Sequence, residues 1–226
     1  MERHFEQDLA ELRADIVRMG HLVDEQLAGA CRALFSGDTA LADTVMRRDT
    51  EVDRYDNLID ERCQKYFALT APVAADLRLL MAALMIDAQL ERMGDIAVNI
   101  AERVAPLAAH RTVLADTRIE EMTSAALTMV RESLDSFIRG DAMLAQRVVD
   151  ADRLVDAIDR EIMDRVIGLM QQDRDTVVPG VHILMLARHI ERLADHATNI
   201  AEDVIFLVEA RIVKHSWRGG DQTPGA

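Results

Sequence analysis

Glu91-Arg92-Met93-Gly94-Asp95-Ile96-Ala97-Val98-Asn99-Ile100-Ala101-Glu102 returns one hundred residues later as Glu191-Arg192-Leu193-Ala194-Asp195-His196-Ala197-Thr198-Asn199-Ile200-Ala201-Glu202, with eight of twelve positions identical. In a helix of 3.6 residues per turn, Glu91 and Asp95 stand four apart and share one face, and Glu191 with Asp195 does the same. The chain is therefore read as a duplicated helical unit that keeps a pair of adjacent carboxylates in each copy.

Upstream of each copy lies a second repeated pattern. Asp49, Val52, Asp53 and Asp56 match Asp152, Val155, Asp156 and Asp159 at an offset of 103, as do Gly37-Asp38 and Gly140-Asp141. The offset falls to 100 by the Glu-Arg stretch, which places a three-residue deletion in a connector, where chains tolerate it. Apolar positions at threes and fours predict a helix over 3–35. Ser36-Gly37-Asp38 stops it and offers an N-cap to the next, over 39–67. Pro72 suits the first turn of a third helix, 73–109. The second half repeats this plan with helices over 116–139, from Asp141 to about 171, and from near Pro179 to about Lys214.

Composition agrees. Half of the 226 residues are hydrophobic but only 4% are aromatic, with four prolines and ten glycines. Such a chain is expected to be all-α. The organisation read from the repeat is two tandem three-helix bundles, residues 1–110 and 111–216, with 105–115 as the junction and 217–226 as a frayed tail.

Forty acidic residues against twenty-six basic ones give a net charge of −14. That opposes sequence-independent nucleic-acid binding and general adhesion to anionic lipid, and suits cations or basic partner surfaces. The N-terminal fifteen residues lack an apolar signal core, and the apolar run Leu79–Ile86 stops at eight residues, far short of the roughly 20 needed to span a bilayer. A cytoplasmic protein with no direct membrane insertion is expected. Cys31 and Cys63 are far apart and outside any CxxC, so both are expected as buried thiols.

Helices two and three of each half, joined by a tight turn, should lie antiparallel. Asp53 and Glu91 are equidistant from position 72, and so are Asp49 and Asp95. In the second half Asp156 pairs with Glu191 and Asp152 with Asp195 about a centre between 173 and 174. Each hairpin should thus gather four carboxylates, two per helix. Carboxylates at i and i+4 oppose a helix by roughly 0.2–0.5 kcal/mol per pair, and cross-helix repulsion adds to it. Divalent or trivalent cations such as Mg, Mn, Fe or Zn would offset that cost, because clustered Asp and Glu supply hard oxygen ligands. Docking of a partner's basic residues would offset it as well. His182, His189 and His196 recur every seven residues, but on a helical wheel His189 and His196 stand about 160° and 140° from Glu191, away from the carboxylates. They are read as packing or interface residues. Glu102 and Asn99, with Glu202 and Asn199, could extend the acidic faces.

With these residues assembled, the sequence resembles the PhoU family of phosphate-signalling regulators over nearly its whole length. The resemblance is carried by His4-Phe5 and Met19-Gly20, the doubled Glu-Arg-x-x-Asp-x-x-x-Asn-Ile-Ala-Glu, the doubled Asp-x-x-Val-Asp, and the ending Ala201-Glu202-Asp203-Val204-Ile205. It implies two three-helix bundles related by a pseudo-two-fold. It also implies metal clusters at Asp49, Asp53, Glu91 and Asp95 and at Asp152, Asp156, Glu191 and Asp195. The function it implies is a cytoplasmic, non-enzymatic negative regulator of phosphate uptake and phosphate-starvation signalling. Such a regulator couples the ATPase subunit of the phosphate ABC transporter to a membrane sensor histidine kinase. A helical chain this rich in apolar residues is also expected to form a homodimer. The competing reading is a carboxylate-bridged metalloenzyme, a hydrolase or oxidase. Against it, the Glu-x-x-His signature of ferritin-like sites is missing, since Gly94 and Ala194 stand three residues after Glu91 and Glu191.

Overall fold

In the computed structural model, which describes residues 2–70 and 72–211, the chain is all-α. Six long helices follow one another: α1 (Glu2–Ser36), α2 (Thr39–Leu69), α3 (Ala75–Glu102), α4 (Ile119–Arg139), α5 (Ala142–Gln172) and α6 (Val177–Glu209). α1, α2 and α3 pack pairwise as one three-helix bundle, and α4, α5 and α6 as another.

The two tight α-turns are built alike. Gly37 (φ 74°) ends α1 and Gly140 (φ 63°) ends α4, each in the left-handed region where a Cβ is penalised. The next residue caps the following helix: Asp38 accepts from the Leu41 amide at 2.9 Å, and Asp141 from the Met143 and Leu144 amides at 3.0 Å. Gly140→Ala is expected to lower the unfolding free energy by about 1–2 kcal/mol, read from urea denaturation, with no change in helix content.

Some boundaries differ from the sequence-based expectation. The third helix ends at Glu102 rather than 109, because Pro106 has no N–H to offer the Glu102 carbonyl. The chain crosses to the second half through short helical turns, Val104–Leu107, Ala108–His110 and Arg111–Ala115. Pro72 lies ahead of α3, which starts only at Ala75, and α4 starts at Ile119 rather than 116. Pro179 does fall in the first turn of α6, where no donor is needed. α6 stops at Glu209, with Ala210 left-handed at φ 54°. Lys214, where that helix was expected to end, and the tail 217–226 lie outside the described residues.

The halves are fastened along two lines. α3 packs on α6 about as extensively as on its own neighbours, and α1 touches α4. Gln89 meets His196 and Asn199 while Arg103 meets Met185, so α3 and α6 run antiparallel and cross near Gly94 and Ala194. Equivalent positions of the repeat thus face each other across a pseudo-two-fold. Residues 91–101 and 191–201 share one order of buried, partly buried and exposed positions. The buried apolar side chains of all six helices form a single continuous core. Among the described residues no helix is long and apolar enough to cross a membrane.

Candidate functional site

The carboxylates are held where α2 meets α3 and where α5 meets α6. In α2, buried Val52 faces the core and leaves Asp49, Asp53 and Asp56 on its flank, and buried Val155 does the same for Asp152, Asp156 and Asp159 in α5. Across the first hairpin Glu91 and Asp95 complete the group. Gly94 lets the helices close, since a Cβ there would stand 3.2 Å from a Val52 methyl and 3.3 Å from Asp49 Oδ1. The Gln26 amide from α1 donates to that same Asp49 oxygen at 3.0 Å and fixes its direction.

The acidic groups act on one another across each hairpin. Burial raises Asp49 above the ordinary carboxylate range, opposed by the Gln26 hydrogen bond and reinforced by Asp53 and Asp95. Glu91 is raised by burial and then by Asp95, Asp56 and Asp53. In the second half burial pushes Asp152 up to about 6, helped by Asp156, Asp195 and Glu202. Glu191 is raised by burial and by Asp195, Asp159 and Asp156, against the pull of Arg188. The eight positions singled out from the repeat thus lie along two hairpins, four to each, within electrostatic reach of one another.

These groups have different exposures. Asp53, Asp95 and Asp195 are exposed, whereas Asp49, Glu91, Asp152, Asp156 and Glu191 are partly buried. Among the described residues no three or more His, Cys, Asp or Glu side chains are arranged so that they could hold a metal ion. The donor set nevertheless fits a hard cation. All the donors are carboxylates, two of them exposed on the first hairpin and one on the second, and Glu191 has one oxygen held by Arg188 at 2.6 Å while its other is buried with no hydrogen-bond partner.

The extensions of the acidic faces are unequal. Glu202 is buried and acts on Asp152. Glu102 instead pairs with Arg103 at 3.2 Å, and the Asn99 amide turns back to the Asp95 carbonyl. The histidines stay out of the clusters. His196 is buried between the halves, its Nδ1 at 2.8 Å from Gln89 Oε1, an oxygen that also accepts from the Asn199 amide. That oxygen can only accept, so Nδ1 carries the proton. Burial, then Arg92 and Arg192, lower His196 to about 4, and His189 is lowered for the same kind of reason. Cys31 and Cys63 are buried free thiols.

One acidic residue escapes a reading by repeats. Asp87 on α3 is 2% exposed, and burial, then Asp56, Asp60 and Glu91, push it up to about 8. It holds its proton at neutral pH and donates it to Asp56. Its counterpart in the other half is Ala187, so no repeated pattern exposes it; the only signal is an Asp closing the apolar run Leu79–Ile86.

Comparison with known proteins gives one consistent result. A family model described as the PhoU domain matches residues 16–104 and again 119–204. The chain is 33% identical over 216 residues to a phosphate-specific transport system accessory protein PhoU homolog of Pseudomonas aeruginosa, covering 95% of this chain and 89% of that protein. Among solved structures, the crystal structure of PhoU from Pseudomonas aeruginosa is similar with a TM-score of 0.86 at 32% identity, over 92% of this chain and 100% of that one. That of the phosphate transport system regulatory protein PhoU from Streptococcus pneumoniae is similar with a TM-score of 0.85 at 28% identity, over 93% and 99%.

Proposed function

The chain belongs to the PhoU family, and on that premise we propose that it is a cytoplasmic negative regulator of phosphate uptake and of phosphate-starvation signalling. In this reading it is a non-catalytic adaptor that binds metal ions and docks between the ATPase subunit of a phosphate ABC transporter and a sensor histidine kinase. The observation that carries the proposal is the family match in both halves with every motif carboxylate retained at both hairpins. Relatives named as accessory and regulatory proteins of phosphate transport support the regulatory role.

Asp49, Asp53, Glu91 and Asp95 would hold one cation cluster, and Asp152, Asp156, Glu191 and Asp195 the other. A bound Mg, Mn, Fe or Zn ion would supply positive charge that neutralises the carboxylates and offers open coordination positions to a partner's acidic or carbonyl oxygens. The protein's own part is to hold the acidic side chains level across each hairpin, with Gln26 and Arg188 orienting one carboxylate in each. The units proposed are residues 1–110 and 111–216. A homodimer is part of the proposal, as the commonest assembly of such chains.

Deleting the gene and assaying alkaline phosphatase in high phosphate tests the role directly. Derepressed phosphatase is the expected result, restored by the intact gene but not by one with Glu91, Asp95, Glu191 and Asp195 changed to Ala. Unchanged repression in the deletion strain counts against the regulator reading.

A further inference from the structure

The turn between α4 and α5 carries apolar side chains that the described residues leave uncovered. Ile138 and Met143 flank Gly140 and are 43% and 71% exposed. Val208, near the end of α6, is 44% exposed and belongs to the same patch, since a Cβ on Gly140 would stand 4.0 Å from a Val208 methyl. The equivalent turn of the first half is covered. A Cβ on Gly37 would meet the Arg111 side chain at 3.7 Å, and Arg111 donates to the carbonyl of the partly buried Phe35 at 2.8 Å. The cover there is the segment that follows α3, and it carries the buried Leu114.

The segment that follows α6 starts in the right place to do the same for the second half. At the motif offset of 100, Arg111-Thr112-Val113-Leu114 lines up with Arg211-Ile212-Val213-Lys214. α6 ends beside the patch, with Ala210 left-handed at φ 54°, a conformation that turns a chain off the helix axis. Residues 212–218 lie outside the described residues; they read Ile-Val-Lys-His-Ser-Trp-Arg, with three apolar side chains, two basic ones and no acidic one. That composition suits an apolar patch on a chain of net charge −14. The six residues from Arg211 to Trp217 span roughly 20 Å when extended, ample for a patch that begins at Val208. A short tether also presents its segment at an effective concentration in the millimolar range, an advantage that a second copy or a separate protein lacks.

We propose that residues 212–218 fold back over the α4–α5 turn of the same chain, with Ile212 and Trp217 covering Ile138, Met143 and Val208. Each half is then capped at its first turn by the segment that follows its third helix. While docked, the cap withdraws this apolar patch from any other partner. The proposal is independent of how the acidic hairpins are used.

Trp217 is the only tryptophan of the chain, so its fluorescence reports on this segment alone. The test is acrylamide quenching of the full-length protein as wild type, Met143→Ser and Met143→Ser/Val208→Ser, each compared with itself in urea. Both positions are exposed, and a cooperative thermal melt checks that each variant is folded; the single variant, at the more exposed position, serves if the double one is not. The expected result is native wild type quenched about half as readily as the unfolded chain, with a blue-shifted emission maximum, and the variants quenched more readily than wild type. Trp217 as accessible in native wild type as in urea overturns the cap. Protection that persists unchanged in the folded variants places the segment elsewhere and overturns this surface as its seat. Protection lost on dilution, as an oligomer dissociates, shows the segment seated on a second copy and overturns the intrachain cap.

Discussion

Between pH 6.5 and 8 the protein is expected to lose stability. The cause is Asp87, raised to about 8 by burial and by Asp56, Asp60 and Glu91. A carboxyl whose folded value lies above its unfolded value contributes stability that is present below the unfolded value, near 4, and disappears as pH rises through the folded one. The slope should start at about 1.4 kcal/mol per pH unit near pH 6.5 and tail off as pH passes 8. Below pH 6.5 further groups enter, and the buried His196 and partly buried His189 work the other way. His196, lowered to about 4, contributes stability that is present above its unfolded value and lost as pH falls towards 4, and His189 follows in the same direction. Over that lower range these oppose Asp87 and Asp152, the latter raised to about 6. Thermal melts in chelator across pH 5 to 8.5 provide the measurement. Asp87→Asn should flatten the limb above pH 6.5 while His196→Gln leaves it in place; a flat wild-type profile there would show that Asp87 does not hold its proton.

Phe137→Ala is expected to cost about 3–5 kcal/mol, the range for emptying a large aromatic site in a packed core. Phe137 is 1% exposed and sits on α4, yet its immediate polar neighbour comes from α1 of the other half. The Arg13 guanidinium lies 5.1 Å from the ring centroid and donates to the Phe137 carbonyl at 2.9 Å. Truncation therefore opens a cavity and also removes the surface on which Arg13 rests. Because one core runs through all six helices, the variant should unfold in a single transition with a lower midpoint and an unchanged denaturant slope. Two resolved transitions would mean that the halves are independent folding units.

The hairpins were the most legible part of the chain. Glycine and proline marked the turns, and equal distances from those turns set the aspartates of α2 and α5 against the Glu–Asp pairs of α3 and α6, although Glu91 and Glu191 feel Asp56 and Asp159 more than the expected Asp53 and Asp156. The α3–α6 seam was not legible in that way. Gln89 and His196 lie more than one hundred positions apart, and no local periodicity encodes which faces of two bundles will meet; the wheel said only that His196 points away from Glu191. The early end of α3 followed from Pro106, a single missing donor inside an otherwise helical pattern. Asp87 was hidden for a different reason. Comparing the halves finds what both retain, and this residue matters because only one of them has it.

The uninterrupted core has a last consequence, for how such a molecule could signal. Proteins that report by bending need a seam of weak contacts about which their parts can swing. Here the joint between halves is as well packed as the halves themselves, and there is nothing to swing. A beam of this kind can still change what it displays. In the proposed reading, starting from a net charge of −14, each divalent ion taken up would remove two negative charges from the surface offered to a partner. The message is then written in electrostatic potential, and a partner would read it by attraction or repulsion at a surface of fixed shape.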